Sequence, residues 1–93
     1  MEKYQQYEKE LLTLLYDSKK SNTSLKDINT SIKALINKDH AGMFEVIDEL
    51  NASGYTHIVA KRGIGKHFFT SIPENYLTLK GEEYFENFSI VQH

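Results

Sequence analysis

Gly54-Tyr55-Thr56-His57-Ile58-Val59-Ala60-Lys61-Arg62-Gly63-Ile64-Gly65-Lys66-His67-Phe68-Phe69-Thr70-Ser71-Ile72 is the stretch whose reading decides the fold. Before Gly54, apolar residues recur at helical spacing; after it they crowd into short β-rich runs. Tyr55 to Ala60 is the first run, Gly63-Ile64-Gly65 a turn, and His67 to Ile72 the second run. Two such runs around a glycine-containing turn predict a β-hairpin over residues 55 to 72, closed by Pro73-Glu74-Asn75. Pairing about that turn sets His67 opposite Lys61 and His57 opposite Ser71.

Working back from the hairpin, Gly54 occupies the C′ position where a helix ends in the left-handed conformation. The helix it ends runs from about His40 to Ser53, with Asp39 as N-cap and Met43, Ile47 and Leu50 as its core face. Its outward face then carries His40, Ala41, Phe44, Glu45, Asp48 and Asn51. A preceding helix starts near Ser24, where Ser24-Leu25-Lys26-Asp27 has the form of a capping box. Leu25, Ile28, Ile32 and Leu35 or Ile36 share one of its faces, and Asn29-Thr30-Ser31 marks a weak point in the middle. The first helix spans Glu2 to Tyr16 on a stripe of Tyr4, Tyr7, Leu11 and Leu14 or Leu15, and the polar stretch Asp17 to Asn22 ends it. Beyond the hairpin, Thr78 caps a short helix from Leu79 to Phe88, with Tyr84, Phe85 and Phe88 turned inward and Ser89 to His93 fraying. Helix, helix, helix, hairpin, helix is an α+β chain of winged helix-turn-helix type, one domain over residues 1 to 93.

Composition narrows the function. A chain of 93 residues builds one modest core and leaves little room for a catalytic cleft. It has no cysteine, which excludes disulfides, thiolate metal sites and thiol catalysis and fits a reducing, cytoplasmic setting. No run reaches the roughly 18 apolar residues of a membrane span, and the N-terminus shows no apolar signal segment. The net charge of −2 is low for a nucleic-acid binder, so DNA contact requires a local basic patch.

The segment Tyr76-Leu77-Thr78-Leu79-Lys80-Gly81-Glu82-Glu83-Tyr84-Phe85-Glu86-Asn87 resembles the "LTxKGxxYLxxN" ending of YjcQ-like winged-helix proteins of Gram-positive bacteria and their phages. Asn22-Thr23 before the second helix and Leu50 to Tyr55 at the end of the third are similar too. The resemblance implies a winged helix in a regulatory or phage-related role. The chain departs from that pattern in a longer stretch between Asn22 and Tyr55 and in the basic residues of its hairpin tip.

That tip, Lys61-Arg62-Gly63-Ile64-Gly65-Lys66-His67, is the first candidate for function, because basic side chains on a projecting hairpin reach phosphates or a minor groove. With His40, Phe44 and Asn51 of the third helix, residues Lys61, Arg62, Lys66 and His67 form the expected DNA-binding set of a small transcriptional regulator. Glu45 and Asp48 oppose this reading, since carboxylates repel phosphate, and Lys33, Lys38 or Lys61 must outweigh them. The alternative is a protein-interaction module, of phage or mobile-element origin, that binds a host protein through the acidic third helix. The aromatic stripes of the terminal helices further suggest a homodimer.

Other chemistries fit less well. Gly63-Ile64-Gly65-Lys66 fails as a phosphate loop: position 60 is Ala60, His67 stands where Ser or Thr is needed, and a strand follows instead of a helix. His57 and His67 fall on the order of 13 Å apart along the hairpin, too far for one metal ion, and His40 and His93 lack ligand partners. Adjacent carboxylates such as Glu82-Glu83 point in different directions on a helix. The expectation is therefore a non-enzymatic protein with no cofactor and no metal.

Overall fold

The computed structural model describes residues 4–91, with side chains described from Tyr4 to Phe88. Four helices and one hairpin follow in order: α1 (Gln5–Ser21), α2 (Leu25–Lys38), α3 (His40–Ala52), β1 (Val59–Arg62), β2 (Phe68–Ser71) and α4 (Leu79–Val91). The chain is α+β, and its two strands form one antiparallel sheet.

α1 is longer than its apolar stripe suggests. It runs five residues past Tyr16 because Asp17 to Ser21 includes neither Gly nor Pro and simply continues the solvent face, while Ser18 stays buried. What ends it is Asn22 at φ 57, with Asn22 N–H donating to Lys19 O and Thr23 N–H to Ser18 O. This is a Schellman closure with asparagine in the left-handed position. The expected start at Glu2 lies outside the described residues.

α2 is capped as the sequence indicates: Ser24 Oγ accepts from Asp27 N–H at 3.2 Å. The expected weak point does not break the helix. Thr30 Oγ1 donates back to Lys26 O, and Asn29 accepts a hydrogen bond from Thr70 on β2 at 2.6 Å. Ile28, Ile32 and Ile36 form a fully buried column at four-residue spacing, whereas Leu25 is left at the exposed rim.

α3 ends in a second Schellman closure, Gly54 N–H to Asn51 O and Tyr55 N–H to Leu50 O, with Gly54 at φ 81. It buries a wider arc than Met43, Ile47 and Leu50 alone, for Phe44 and Val46 are buried as well. With Leu11, Leu12 and Leu15 of α1 and the α2 column, these residues make one core.

The hairpin differs from the expected one in length and register. Residues Thr56 and His57 do not pair with β2. They run beside Tyr76 and Leu77 instead, through a Thr56–Leu77 bridge and a bond from His57 N–H to Tyr76 O. The paired ladder is Val59–Ser71, Ala60–Thr70, Lys61–Phe69 and Arg62–Phe68. Lys61 thus faces Phe69 and not His67, and Ser71 faces Val59 and not His57. The shift arises because the connection spans five residues, Gly63 to His67, closed by Gly63 N–H to His67 O and His67 N–H to Ile64 O, instead of a three-residue glycine turn. Gly65 follows Ile64 in the αL region at φ 66, where this tight turn favours glycine.

α4 starts at Thr78, whose Oγ1 accepts from Gly81 N–H at 2.9 Å, and continues three residues beyond Phe88. Gly81 is required there: a Cβ would stand 2.2 Å from Tyr55 O. The terminal aromatics pack within the chain. Tyr16 lies against Phe85 at 4.8 Å and Tyr84 stacks on Tyr55 at 4.3 Å between ring centroids.

Candidate nucleic-acid interface

The site is built around the junction of α2 and α3, where only Asp39 separates the two helices. Asp39 is extended (φ −160, ψ 96), and its Oδ1 accepts from Gly42 N–H at 3.1 Å. Its Oδ2 accepts from the Tyr7 hydroxyl of α1 at 3.0 Å. That bond, ahead of burial, raises the pKa of the Tyr7 phenol. Gly42 permits the arrangement, because a Cβ there would come within 2.7 Å of both Asp39 Oδ2 and the Tyr7 ring. The first turn of α3 is therefore held in place from two sides.

Lys38 and His40 flank this cap. His40 Nε2 sits 3.3 Å from Asn37 Oδ1, and its ring meets Phe68 edge-on at 5.2 Å and Phe44 at 6.3 Å. Phe44 and Phe68 are themselves perpendicular at 6.0 Å. This cluster joins the hairpin to α3. Alternation along the strands places Ala60, Arg62, Phe68 and Thr70 on the inner face of the hairpin and Val59, Lys61, Phe69 and Ser71 on the outer face. The Arg62 guanidinium rests 4.8 Å from the centre of the Phe44 ring, a cation–π contact that fixes it beside α3.

Between the hairpin and the α2–α3 junction lies an open cleft of about 610 Å³. Asn37, Lys38, Asp39, His40 and Ala41 form one wall, and Arg62, Gly65, Lys66 and His67 form the other. Three fixed cations face it against the single carboxylate of Asp39, which already bonds Gly42 and Tyr7. An adjoining depression of about 420 Å³ is opposite in character: Arg62 borders it, but so do Glu45 and Asp48.

The expected DNA-binding set is thus divided. Arg62, Lys66, His67 and His40 come together in the cleft. Lys61 does not; it projects from the outer face opposite Phe69. Phe44 is not on the outward face, being only 4% exposed beneath Arg62 and Phe68. Asn51 is turned into the fold. Its Oδ1 accepts from Thr56 Oγ1 at 2.6 Å and Ile58 N–H at 3.1 Å, and its Nδ2 donates to Ile58 O at 2.7 Å. The hairpin lying against Phe44 is the reason in the first case, and the segment Thr56 to Ile58 turning back beside the end of α3 in the second. Lys38 and Asn37 join the site although the sequence marked Lys38 only as a cation that could offset Glu45 and Asp48. The available signal was its place one residue before the N-cap of α3.

Among the described residues, no group of three or more His, Cys, Asp or Glu is arranged to hold a metal ion. No described helix is long and apolar enough to cross a membrane. No protein family, curated protein or solved structure matches the chain.

Proposed function

We propose that this chain is a small winged-helix protein that binds double-stranded DNA, acting as a bacterial or phage transcriptional regulator. The observation that carries the reading is the convergence of Lys38, Arg62 and Lys66 on one cleft at the N-terminal end of α3. Phosphate oxygens are met by such cations. The exposed side of α3 past its first turn, with Glu45 and Asp48, contributes no positive charge. Affinity therefore comes from the phosphate backbone, with α3 approaching the groove by its first turn.

Fluorescence anisotropy on a random duplex across a salt series tests this. The parent binds at low salt, and log affinity falls linearly with log salt. Replacing Lys38, Arg62 and Lys66 together with Ala reduces that slope by about 0.9 for each phosphate no longer neutralised, so by roughly 2 to 3. Lys61→Ala, on the outer face, changes the slope by less than the increment for a single phosphate. A parent that does not bind at low salt, or a triple variant with the parent's slope, overturns the proposal.

One observation favours a second reading. Every charged side chain on the exposed side of α3 past its first turn is acidic: Glu45, Asp48 and Glu49. That face suits a basic protein surface better than a groove. If duplex binding is absent, a host protein engaged through Glu45 and Asp48 is the function to pursue.

A further inference from the structure

The wing tip has a feature that phosphate binding leaves unexplained. Ile64 is 91% exposed, the most exposed large apolar side chain among the described residues. It stands between Gly63 and Gly65, and a Cβ added at Gly65 would meet nothing within 4 Å, so open space surrounds the tip. Its position is set by the backbone, since Ile64 O accepts the turn-closing bond from His67 N–H at 3.2 Å. Arg62 and Lys66, two residues to either side, belong to the basic cleft. An aliphatic side chain is thus carried at the apex of a hairpin whose flanks are cationic.

We propose that Ile64 is a wedge that enters the minor groove of duplex DNA and partly unstacks a base step, while Arg62 and Lys66 hold the phosphates on either side. The inference rests on the duplex-binding reading and adds the mode of engagement. Three points support it. Aliphatic side chains at the tips of projecting elements are the groups that pry apart base steps from the minor groove. The narrow groove attracts cations, which suits the flanking Arg62 and Lys66. The tip adjoins the cleft, since Gly65 beside Ile64 lines it together with Arg62 and Lys66. Because α3 lacks cationic readers past its first turn, selectivity would arise from how easily a step unstacks. Pyrimidine–purine steps, mismatches and nicks are favoured for that reason.

The test uses the full chain and a short duplex with 2-aminopurine at a central pyrimidine–purine step. Parent protein is expected to raise the 2-aminopurine fluorescence and to prefer a duplex mismatched at that step over the matched one. Ile64→Ser, at a site outside the core, leaves the fold intact. It is expected to abolish the fluorescence rise and lower affinity on the order of tenfold, as for one aliphatic side chain no longer buried. Its salt slope stays that of the parent, because every cation that meets a phosphate is still in place. If Ile64→Ser binds and unstacks as the parent does, or if the parent binds duplex with no fluorescence change, the wedge is refuted while duplex binding stands. If the parent binds no duplex, both readings fall. An Ile64 effect seen only with anionic lipid vesicles overturns the wedge in favour of a membrane contact.

Discussion

Asn51 shows how one residue changes meaning once its neighbours are known. On a helical wheel it belongs to the outward face of α3, and its amide is a familiar reader of adenine. In the fold that amide is a strut. It satisfies the backbone N–H and carbonyl of Ile58 and the hydroxyl of Thr56, a side chain with no exposure. Asn51→Ala would strand three polar groups beside the last turn of α3, and each buried orphan costs about 1–3 kcal/mol. With partial relaxation, urea unfolding should show a loss of about 2–4 kcal/mol. Affinity for duplex DNA, measured where the variant is still folded, should be unchanged. A stable variant with weakened binding would return Asn51 to the interface.

At the scale of elements, α4 is fastened to α1 largely by polar clasps. Tyr16 donates to Glu86 at 2.6 Å, Lys19 pairs with Glu82 at 2.8 Å and also donates to Leu77 O, and the Tyr84 hydroxyl donates to Glu8. Exposed pairs such as Lys19–Glu82 add little. The Tyr84–Glu8 clasp matters more because Glu8 is only 9% exposed and Tyr84 is covered by Tyr55. Burial first, then the bond to Glu8, drives the Tyr84 phenol well above its ordinary pKa of 10.0. A raised phenol pKa means that the folded chain favours the neutral form. The stabilisation is complete below pH about 10 and is lost as pH climbs from there toward the folded value. The urea midpoint should therefore hold steady up to the tyrosine range and then fall. Tyr84→Phe should start lower at neutral pH, since Glu8 loses a donor, and decline less steeply above it. Tyr7, Tyr16 and Tyr76, whose pKa values are also raised, account for the decline that persists. Parallel alkaline curves for parent and variant would remove Tyr84 from this role.

For the whole molecule, the net charge of −2 conceals a division by region. Cations gather at the α2–α3 junction and the hairpin, and carboxylates occupy the adjoining length of α3, with Arg62 between the two depressions. Under the duplex-binding proposal, this juxtaposition keeps non-specific affinity low, because phosphates drawn to Lys38 and Lys66 also approach Glu45 and Asp48. Replacing Glu45→Gln and Asp48→Asn together removes two like charges at unchanged shape. Non-specific duplex affinity should rise about three- to thirtyfold at low salt, with the gain shrinking as the Debye length shortens. Unaltered affinity would place the duplex away from α3. Weakened capture of a basic protein by the same variant would support the second reading.

Local rules carried the sequence far. Ser24, Asp39, Gly54 and Thr78 could be placed at helix ends because capping depends on one side chain and a few backbone groups close by in the chain. The hairpin was legible from the crowding of β-formers around Gly63 and Gly65, and the core from the four-residue spacing of Ile28, Ile32 and Ile36. The end of α1 was not: polar residues on a solvent face look like a break until Asn22 is seen in the left-handed region. The length of the hairpin was also hidden, because Thr56 and His57 have partners in Tyr76 and Leu77, about twenty residues away, and its register was hidden because the connection takes five residues, Gly63 to His67, around its two glycines. The site depended most on tertiary structure. Lys61, Arg62 and Lys66 are nearly continuous in sequence, yet strand alternation sends Lys61 outward and Arg62 inward onto Phe44. Lys38 comes from another helix to complete the cleft. Short-range geometry determines where helices and turns begin and end. Which cations share a surface is decided only when the hairpin packs against α2 and against His40 and Phe44 of α3, bringing together residues that the chain itself holds far apart.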